Sequence, residues 1–289
     1  MKYRVYWNNV CLISKFEKQH IESLRDENLP FDFTFYGLGQ ASALSAQVDM
    51  ENANGECGAD IVVSTDVDIF HNPNRSHYFS QYKKVPGELP QVQWLDCVKH
   101  PQHLFKPFLA IPLVFVTKSE THVTSLKELI DGEGKITYAF GGLHNSAGQS
   151  LLKAIWWLYG FEAARRFLKH AKVGSMPAHA YQMLSKGEVE VAIVPSLFAL
   201  RSGVNHLKSV VPSEGAIAIP SYIAVKNNVP DDVYALFEEK VLSERFQNDL
   251  FTAGDVHVLA LAERFDVPML MPPWSFLESI DYHASFGVR

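Results

Sequence analysis

The sequence predicts an α/β protein built on parallel β-sheet. Three observations lead to this prediction: strand-length apolar runs alternate with helical patterns, capping residues precede the helices, and turn residues separate the segments. Strands joined by helical crossovers form parallel sheets. In such sheets ligands bind outside the carboxyl ends of the strands. The polar residues at those ends are therefore the first candidates for a functional site.

Residues 3–66 predict the element order β-α-β-α-β, with strands at 3–7, 31–36 and 59–64. Ser14 and Glu17 have the spacing of a capping box and predict the start of the first helix. The ends of the first and third strands carry small polar side chains. These are Asn8, Asn9, Ser64, Thr65 and Asp66. Because the carboxyl ends of parallel strands share one edge, we expect these side chains to lie near one another.

A second strand–turn–helix pattern organises the later part of the chain. A β-type run at 136–140 meets Gly141-Gly142, and a helical pattern follows over 146–159. Asn145 and Ser146 are N-cap residue types, and Ser146 with Gln149 has capping-box spacing. Such a joint places backbone N–H groups beside short polar side chains, a geometry that binds anions or other polar ligands. An ordinary structural joint is the alternative interpretation.

Two long extended runs, near residues 108–116 and 216–225, interrupt the alternation of strands and helices. They predict two crossings between two α/β units. The first lobe is then discontinuous and comprises residues 1–112 and 219–289. The second lobe, residues 113–218, is inserted into it, and Ser125 with Glu128 predicts a further capped helix there.

Composition excludes several classes of protein. The formal net charge of −6 gives no basic surface for nucleic acid or an anionic membrane. No stretch approaches the ~18 apolar residues of a membrane-spanning helix. Three cysteines without metal-type spacing imply no disulfide framework. Met1-Lys2 leads directly into a strand pattern, so we expect a cytoplasmic protein, or one whose export signal has been removed.

The succession of segments resembles the periplasmic-binding-protein type II family, the solute-binding subunits of ABC transporters. The similarity is greatest to the branch of molybdate-, sulfate- and ferric-ion-binding proteins. It is carried by Ala59-Asp-Ile-Val-Val-Ser-Thr-Asp66, Ser125-Leu-Lys-Glu-Leu129, residues 136–149, residues 184–194 and Ala216-Ile-Ala-Ile-Pro-Ser-Tyr-Ile-Ala-Val225. Their order, over nearly the whole chain, is the specific feature. The resemblance implies two lobes with mixed, mostly parallel sheets flanked by helices, joined by two crossing strands that serve as a hinge.

The resemblance also implies a ligand held between the lobes by strand ends and helix N-termini. Carried onto this sequence, it implies the ligand-binding residues Asn8, Asn9, Ser64, Thr65, Asn145, Ser146, Ala147, Ser196, Ser221 and Tyr222. The implied function is non-catalytic capture of a small polar ligand, foremost an oxyanion, without a cofactor. The expected protein is a monomer that delivers its ligand to an ABC-transporter permease, in the periplasm or at the cell surface if it is exported.

The sequence departs from two groups of relatives. Ferric-binding members present adjacent tyrosines in the second lobe, where this chain has Pro195-Ser-Leu-Phe-Ala-Leu. Amino-acid binders use an Arg–Asp pair, and no arginine stands at the expected strand ends. Hydroxyls, amides and backbone N–H groups remain, and in a dry site they suit a small oxyanion or a neutral polar ligand.

Several alternatives remain open at this level. A cytoplasmic enzyme on the same fold, as in menaquinone or thiamin-pyrimidine biosynthesis, is the second hypothesis, although no catalytic motif is present. A metal-transport protein is the third, because Asp66, Asp68, His71 and His77 lie close in sequence. Alternating residues of an extended segment face opposite ways, which favours a solvated loop or a helix cap there. Lys153 is expected on a solvated helix face.

Overall fold

The structure is a computed structural model that describes residues 2–10, 13–37, 43–85, 87–201 and 206–287. Its strands are β1 (Tyr3–Asn8), β2 (Phe31–Tyr36), β3 (Ile61–Ser64), β4 (Tyr82–Lys83), β5 (Lys106–Lys118), β6 (Tyr138–Phe140), β7 (Lys172–Val173), β8 (Val191–Pro195), β9 (Leu207–Val210), β10 (Ala216–Lys226), β11 (His257–Val258) and β12 (Met269–Leu270). The predicted second strand has the observed bounds, since its alternating apolar residues define both ends.

The helices are α1 (Ser14–Ser23), α2 (Ala43–Ala53), α3 (Asp68–His71), α4 (Ser76–Phe79), α5 (Gln93–Val98), α6 (Leu126–Asp131), α7 (Ser146–Tyr159), α8 (Phe161–His170), α9 (Pro177–Ser185), α10 (Asp231–Leu236), α11 (Glu244–Gly254), α12 (Trp274–Ser279) and α13 (Tyr282–Phe286). Short 3₁₀ turns cover Arg25–Glu27, Pro73–Arg75, Ser196–Arg201 and Leu259–Arg264, and a π-helical turn covers Phe237–Val241. The result is the mixed α/β architecture that the sequence predicts.

The chain forms two compact units, and unit 1 comprises Met1–Ala110 and Pro220–Phe265. Its parallel core has the strand order β2-β1-β3, and β10 pairs antiparallel with β3. The fully buried Trp7 of β1 packs against Phe33, Phe108 and Phe246, with ring centroids 6.1–6.5 Å apart. Because β1 and β3 are parallel, their carboxyl ends meet at one edge of this sheet.

Unit 2 comprises Ile111–Ile219 and Asp266–Arg289. Its strands follow the order β5-β8-β6-β7, in which β6 is parallel to both β7 and β8. Phe140 of β6 packs on Phe167 of α8, at a centroid distance of 5.8 Å. The carboxyl ends of β6, β7 and β8 therefore share one edge, and α7 and α9 begin in the connections that follow β6 and β7.

The two long strands that the sequence predicts are present as β5 and β10. Each contains a boundary between the units, after Ala110 in β5 and after Ile219 in β10. Because both strands belong to both units, the twelve strands form one connected set of pairings. Within that set, each unit keeps a parallel core of its own.

The C-terminal segment differs from the prediction, which assigned residues 219–289 to the first lobe. Residues 266–289 belong to unit 2. The physical reason is local pairing and aromatic packing: β12 pairs in parallel with β10 at Ala216 and Ile217, and Phe276 and Phe286 each lie 6.0 Å from the Trp156 ring. The first lobe therefore ends near Phe265.

His257 of unit 1 is a buried, neutral histidine that makes stability depend on pH. Its ring is 4% exposed and stacks on Phe265 at 3.9 Å, and among the described residues its Nδ1 has no hydrogen-bond partner. Burial lowers the pKa of His257 to about 4.

Since the unfolded chain holds this proton more tightly, the stability that neutral His257 contributes is present above about pH 6.5 and is lost as the pH falls toward 4. The His257→Phe variant keeps the ring stack, and it should gain up to ~3 kcal/mol relative to the wild type between about pH 7 and pH 4. Urea unfolding across that range measures the difference. Parallel pH profiles for the two proteins would contradict the prediction.

Candidate functional site

The edge of the unit 1 sheet brings together Asn8 and Ser64, as predicted for neighbouring strand ends. Asn8 Nδ2 donates to Ser64 Oγ at 3.2 Å, and the Asp66 backbone N–H donates to the same oxygen at 2.9 Å. A hydroxyl accepts two hydrogen bonds and donates one. Both acceptor positions of Ser64 are occupied, and no described residue accepts its proton. This buried hydroxyl is therefore a donor for a further partner.

Asn9 lies on the opposite face of the strand and is fixed by Glu17. Its Nδ2 donates to Glu17 Oε2 at 3.0 Å, and the Val10 N–H donates to the same oxygen at 3.0 Å. Trp7 Nε1 donates to Glu17 Oε1 at 3.1 Å. The predicted capping box of Ser14 and Glu17 is thus wrong, since α1 begins without a side-chain cap while Glu17 binds the end of β1.

The three remaining predicted residues of unit 1 divide between the two faces. Tyr222 lies opposite Ser64 in the antiparallel pair, its ring is fully buried beside Phe70, and its hydroxyl donates to Val98 O at 2.5 Å. The structure gives Tyr222 a packing role in place of the predicted ligand contact. Ser221 faces the other way, and its buried hydroxyl bonds to no described residue. Thr65 is buried at the end of β3.

Asp66 behaves as a cap for the turn into α3. Its Oδ1 accepts the Asp68 N–H at 3.1 Å, and its Oδ2 accepts the Ser45 hydroxyl at 2.8 Å. His71 Nε2 lies 2.6 Å from Asp68 Oδ1, and both side chains are buried. In the part of the chain that the structure describes, no three His, Cys, Asp or Glu side chains are grouped to hold a metal ion. The metal alternative thus has no ligand set there.

In unit 2 the strand–turn–helix forms as predicted, with Asn145 as the N-cap of α7. Asn145 Oδ1 accepts the Gly148 N–H at 3.0 Å, and Asn145 Nδ2 donates to the Gly141 carbonyl. Gln149 N–H donates to the Asn145 carbonyl at 3.0 Å, so the predicted Ser146–Gln149 capping box does not form. Because both polar atoms of the Asn145 side chain are engaged, it orders the turn and does not reach outward.

Glycine is required in this turn by the backbone conformation and by neighbouring atoms that leave no space for a Cβ. Gly142 has φ +87°, a conformation that favours glycine. A Cβ on Gly148 would overlap the Gly142 carbonyl oxygen, and a Cβ on Gly141 would overlap Pro177 at the start of α9. The N-termini of α7 and α9 therefore both lie against the turn, and their helix dipoles make this edge of unit 2 electropositive.

The remaining predicted residues of unit 2 lie at the same edge of its sheet. Ser146 and Ala147 are half-buried in the first turn of α7, where helix N–H groups have no intrahelical acceptor. Ser196 is buried directly after β8, which pairs with β6 through Phe140 and Ile193. Each unit of the structure therefore has its own cluster of predicted residues.

Two residues behind the unit 2 turn were missed by sequence reasoning. Lys153 was expected in solvent but is 3% exposed, with Nζ 5.2 Å from the centre of the Tyr282 ring. The Tyr282 hydroxyl donates to the Leu143 carbonyl of the turn at 3.1 Å. Tyr282 belongs to the C-terminal segment, and no local sequence pattern indicates its contact with Lys153.

Residues 58–279 match the family of bacterial extracellular solute-binding proteins, and the chain belongs to that family. No curated protein matches the chain by sequence. Searching the described residues finds no helix long and apolar enough to cross a bilayer.

Solved structures resemble the chain over nearly its full length. A ferric binding protein from Campylobacter jejuni has a TM-score of 0.73 and 13% identity, covering 99% of this chain and 98% of that one. A periplasmic thiamin binding protein has a TM-score of 0.68 and 18% identity, covering 99% and 95%. A protein described as mediating two-component signal transduction has a TM-score of 0.70 and 16% identity, covering 99% of each.

These identities show the fold, which is the two-lobe periplasmic-binding-protein type II fold. The family and the binding proteins that share its fold are solute-binding proteins and not enzymes. The alternative of a biosynthetic enzyme on this fold is therefore set aside.

Proposed function

We propose that this chain is the binding component of an ABC transporter and that its ligand is a small oxyanion. The observation that carries the proposal is the turn of unit 2. There the N-termini of α7 and α9 lie against a glycine turn, and residues 141–149 contain no acidic side chain. Helix N-termini with backbone N–H groups and short hydroxyls favour a negatively charged ligand.

Unit 1 contributes hydroxyl and amide groups to the same proposal. The Ser64 hydroxyl has a proton to donate, and the Ser221 hydroxyl has no partner among the described residues. We assign the predicted residues of each unit, except Tyr222, to ligand binding or to ordering the segments that bind ligand. The nearby Asp66 carboxylate accepts hydrogen bonds from the Ser45 hydroxyl and from the Asp68 N–H of the α3 turn.

The family supports the remaining parts of the proposal. Its members are extracellular solute-binding proteins, so we place this protein in the periplasm or at the cell surface. A permease of the ABC class is the proposed partner, and the proposed free state is a monomer. The charge of −6 and the absence of a basic footprint agree with a small-molecule ligand and not with nucleic acid.

Ferric iron is the second candidate, because several structures with this fold are named as ferric binding proteins. The tyrosines argue against it. Tyr138 donates to Phe167 O and Tyr222 to Val98 O, and Tyr234 donates to Glu238. Burial raises the pKa of Tyr138 and of Tyr234 above the usual phenol value, which opposes the phenolate form.

Thermal-shift screening tests the ligand class. The panel contains molybdate, tungstate, sulfate, phosphate, phosphonates, ferric citrate and thiamin. A ligand present at ~100 times its Kd should add ~2.7 kcal/mol to the free energy of unfolding. Stabilisation by an oxyanion supports the proposal, and stabilisation by ferric citrate or thiamin alone would replace it.

The double variant Asn145→Ala/Ser146→Ala tests the site. It removes the N-cap and a hydroxyl from the turn, and we expect affinity for the stabilising oxyanion to fall at least tenfold in calorimetric titration. The matched control is Ser125→Ala, which removes the N-cap of α6 in the same unit. Both changes should cost ~1 kcal/mol per cap in stability. Equal affinity of the double variant and the control would remove this turn from the site.

A further inference from the structure

Glu17 is a buried carboxylate that accepts hydrogen bonds from the segment at the end of β1, where the candidate residues Asn8 and Asn9 lie. It is 1% exposed, and its three hydrogen-bond donors are Trp7 Nε1, Asn9 Nδ2 and the Val10 N–H. All three belong to β1 or to the two residues that follow it. The carboxylate therefore ties α1 to the segment that carries the predicted ligand residues Asn8 and Asn9.

The two carboxylate oxygens of Glu17 accept different numbers of hydrogen bonds. Within the described part of the chain, Oε1 accepts from Trp7 alone, whereas Oε2 accepts from both Asn9 and Val10. A proton on Oε2 would clash with two hydrogen-bond donors, whereas a proton on Oε1 would clash with one. Protonation at Oε1 therefore displaces the Trp7 bond and keeps the two bonds that fix residues 9 and 10.

Among the residues that the structure describes, no cation neutralises this carboxylate by direct contact. The charged group whose field reaches it is Lys18, its neighbour on α1, and the β1 side presents only the uncharged donors. His20 on α1 faces the Val241 carbonyl and Phe246, with Arg245 and Asp249 of α11 nearby. Burial raises the pKa of Glu17 to about 7 against the lowering effect of its hydrogen bonds. Near neutral pH, Glu17 is therefore present in both its protonated and its ionised form.

We propose that Glu17 is a positioning residue that fixes residues 8–10, and that its negative charge opposes anion binding, so that capture of an oxyanion is coupled to proton uptake at Glu17. The inference rests on the proposed function. Its physical basis is Coulomb repulsion: two like unit charges roughly 10 Å apart in a partly buried site change affinity by roughly tenfold. Protonation at Oε1 keeps the Asn9 and Val10 bonds, so residues 9 and 10 stay ordered in both charge states of Glu17.

The first experiment uses no ligand. In ¹⁵N-labelled protein, the indole N–H signal of Trp7 is followed across about pH 5.5 to 8.5 and is assigned with a Trp7→Phe sample. We expect this signal to titrate with a midpoint near 7 in the wild type and to stay constant in Glu17→Gln. A Trp7 signal that does not move in the wild type would overturn the proposal.

The second experiment measures sulfate binding by calorimetry at about pH 6 and about pH 8, because sulfate keeps its charge over this range. Wild-type affinity should be several-fold higher at the lower pH, with net proton uptake in buffers of different ionisation enthalpy. Glu17→Gln, which can accept from Asn9 and Val10 without a charge, should bind more tightly than the wild type at pH 8 and show a flat profile. Glu17→Leu, which removes the acceptor, should bind weakly at both values.

Glu51→Gln is the matched control, because it neutralises another buried carboxylate of unit 1 that contacts no residue of the 8–10 segment. It should keep the wild-type pH profile. Weaker binding of Glu17→Gln at pH 8, or an equal change in Glu51→Gln, would overturn the proposal. If sulfate binds no variant, the coupling of sulfate capture to Glu17 is wrong, and the thermal-shift panel still decides the oxyanion function.

Discussion

Replacing Gly148 with alanine is expected to destabilise the protein by at least ~3 kcal/mol, because the new methyl group has no space to occupy. A Cβ at this position would overlap the Gly142 carbonyl oxygen, which is backbone and cannot rotate away. Relief requires α7 to move from the turn, which breaks the bond from Asn145 Nδ2 to the Gly141 carbonyl. Urea unfolding measures the loss of stability.

The same change should abolish binding of the oxyanion, since it displaces the first turn of α7. Ser150→Ala is the matched control, because residue 150 lies two positions further along the same helix and is half-buried. That substitution adds no atoms and suits a helix, so stability should stay within ~0.5 kcal/mol of the wild type. A Gly148→Ala protein with wild-type stability and affinity would show that the close approach is not essential.

Replacing Glu51 with alanine should have an effect of similar size, through an unsatisfied polar network. Glu51 is 4% exposed and accepts hydrogen bonds from Tyr6, Gln47, the Gly58 N–H and Tyr78, at 2.6–2.9 Å. Burial alone would raise the pKa of Glu51, but these bonds outweigh it and lower the pKa.

Without the carboxylate, two buried phenols and one backbone N–H lose their acceptor, and we expect a loss of ~3–5 kcal/mol. Gln47→Ala is the control, since it removes one donor and leaves Glu51 with the other three. It should cost no more than ~1 kcal/mol. Equal unfolding free energies for the two variants would show that the network contributes nothing beyond a single hydrogen bond.

Two identical sequence patterns show where prediction from local sequence ends. Ser125 and Glu128 form the capping arrangement that their spacing predicts: Ser125 Oγ accepts the Glu128 N–H, and the Glu128 carboxylate accepts from Thr124. Ser14 and Glu17 have the same spacing, yet Glu17 binds Trp7 and Asn9. In the first pair Ser125 is half-buried and Glu128 is exposed, whereas Ser14 and Glu17 are both buried. Burial, which local spacing does not encode, decides between the two outcomes.

In the candidate site, too, local sequence predicts the positions of the residues but not the partners of their side chains. The positions of Asn8, Ser64 and Asn145 at strand ends or at a helix start follow from periodicity and turn residues, and the structure places them there. The roles of their side chains did not follow. Tyr222 sits at a correctly predicted strand position, but its hydroxyl is used by Val98 because α5 packs against that face.

The sequence by itself determined the α/β class, the β-α-β-α-β order of residues 3–66, the two long crossings and the polar character of the strand ends. These depend on residues a few positions apart, so alternation, helical spacing and glycine turns encode them directly. The tertiary structure decided that residues 266–289 join unit 2, that Lys153 is covered by Tyr282, and that Glu17 lies beneath Asn9. Each of these depends on which side chains occlude one another from water, and burial sets both packing partners and the charge state of the carboxylate.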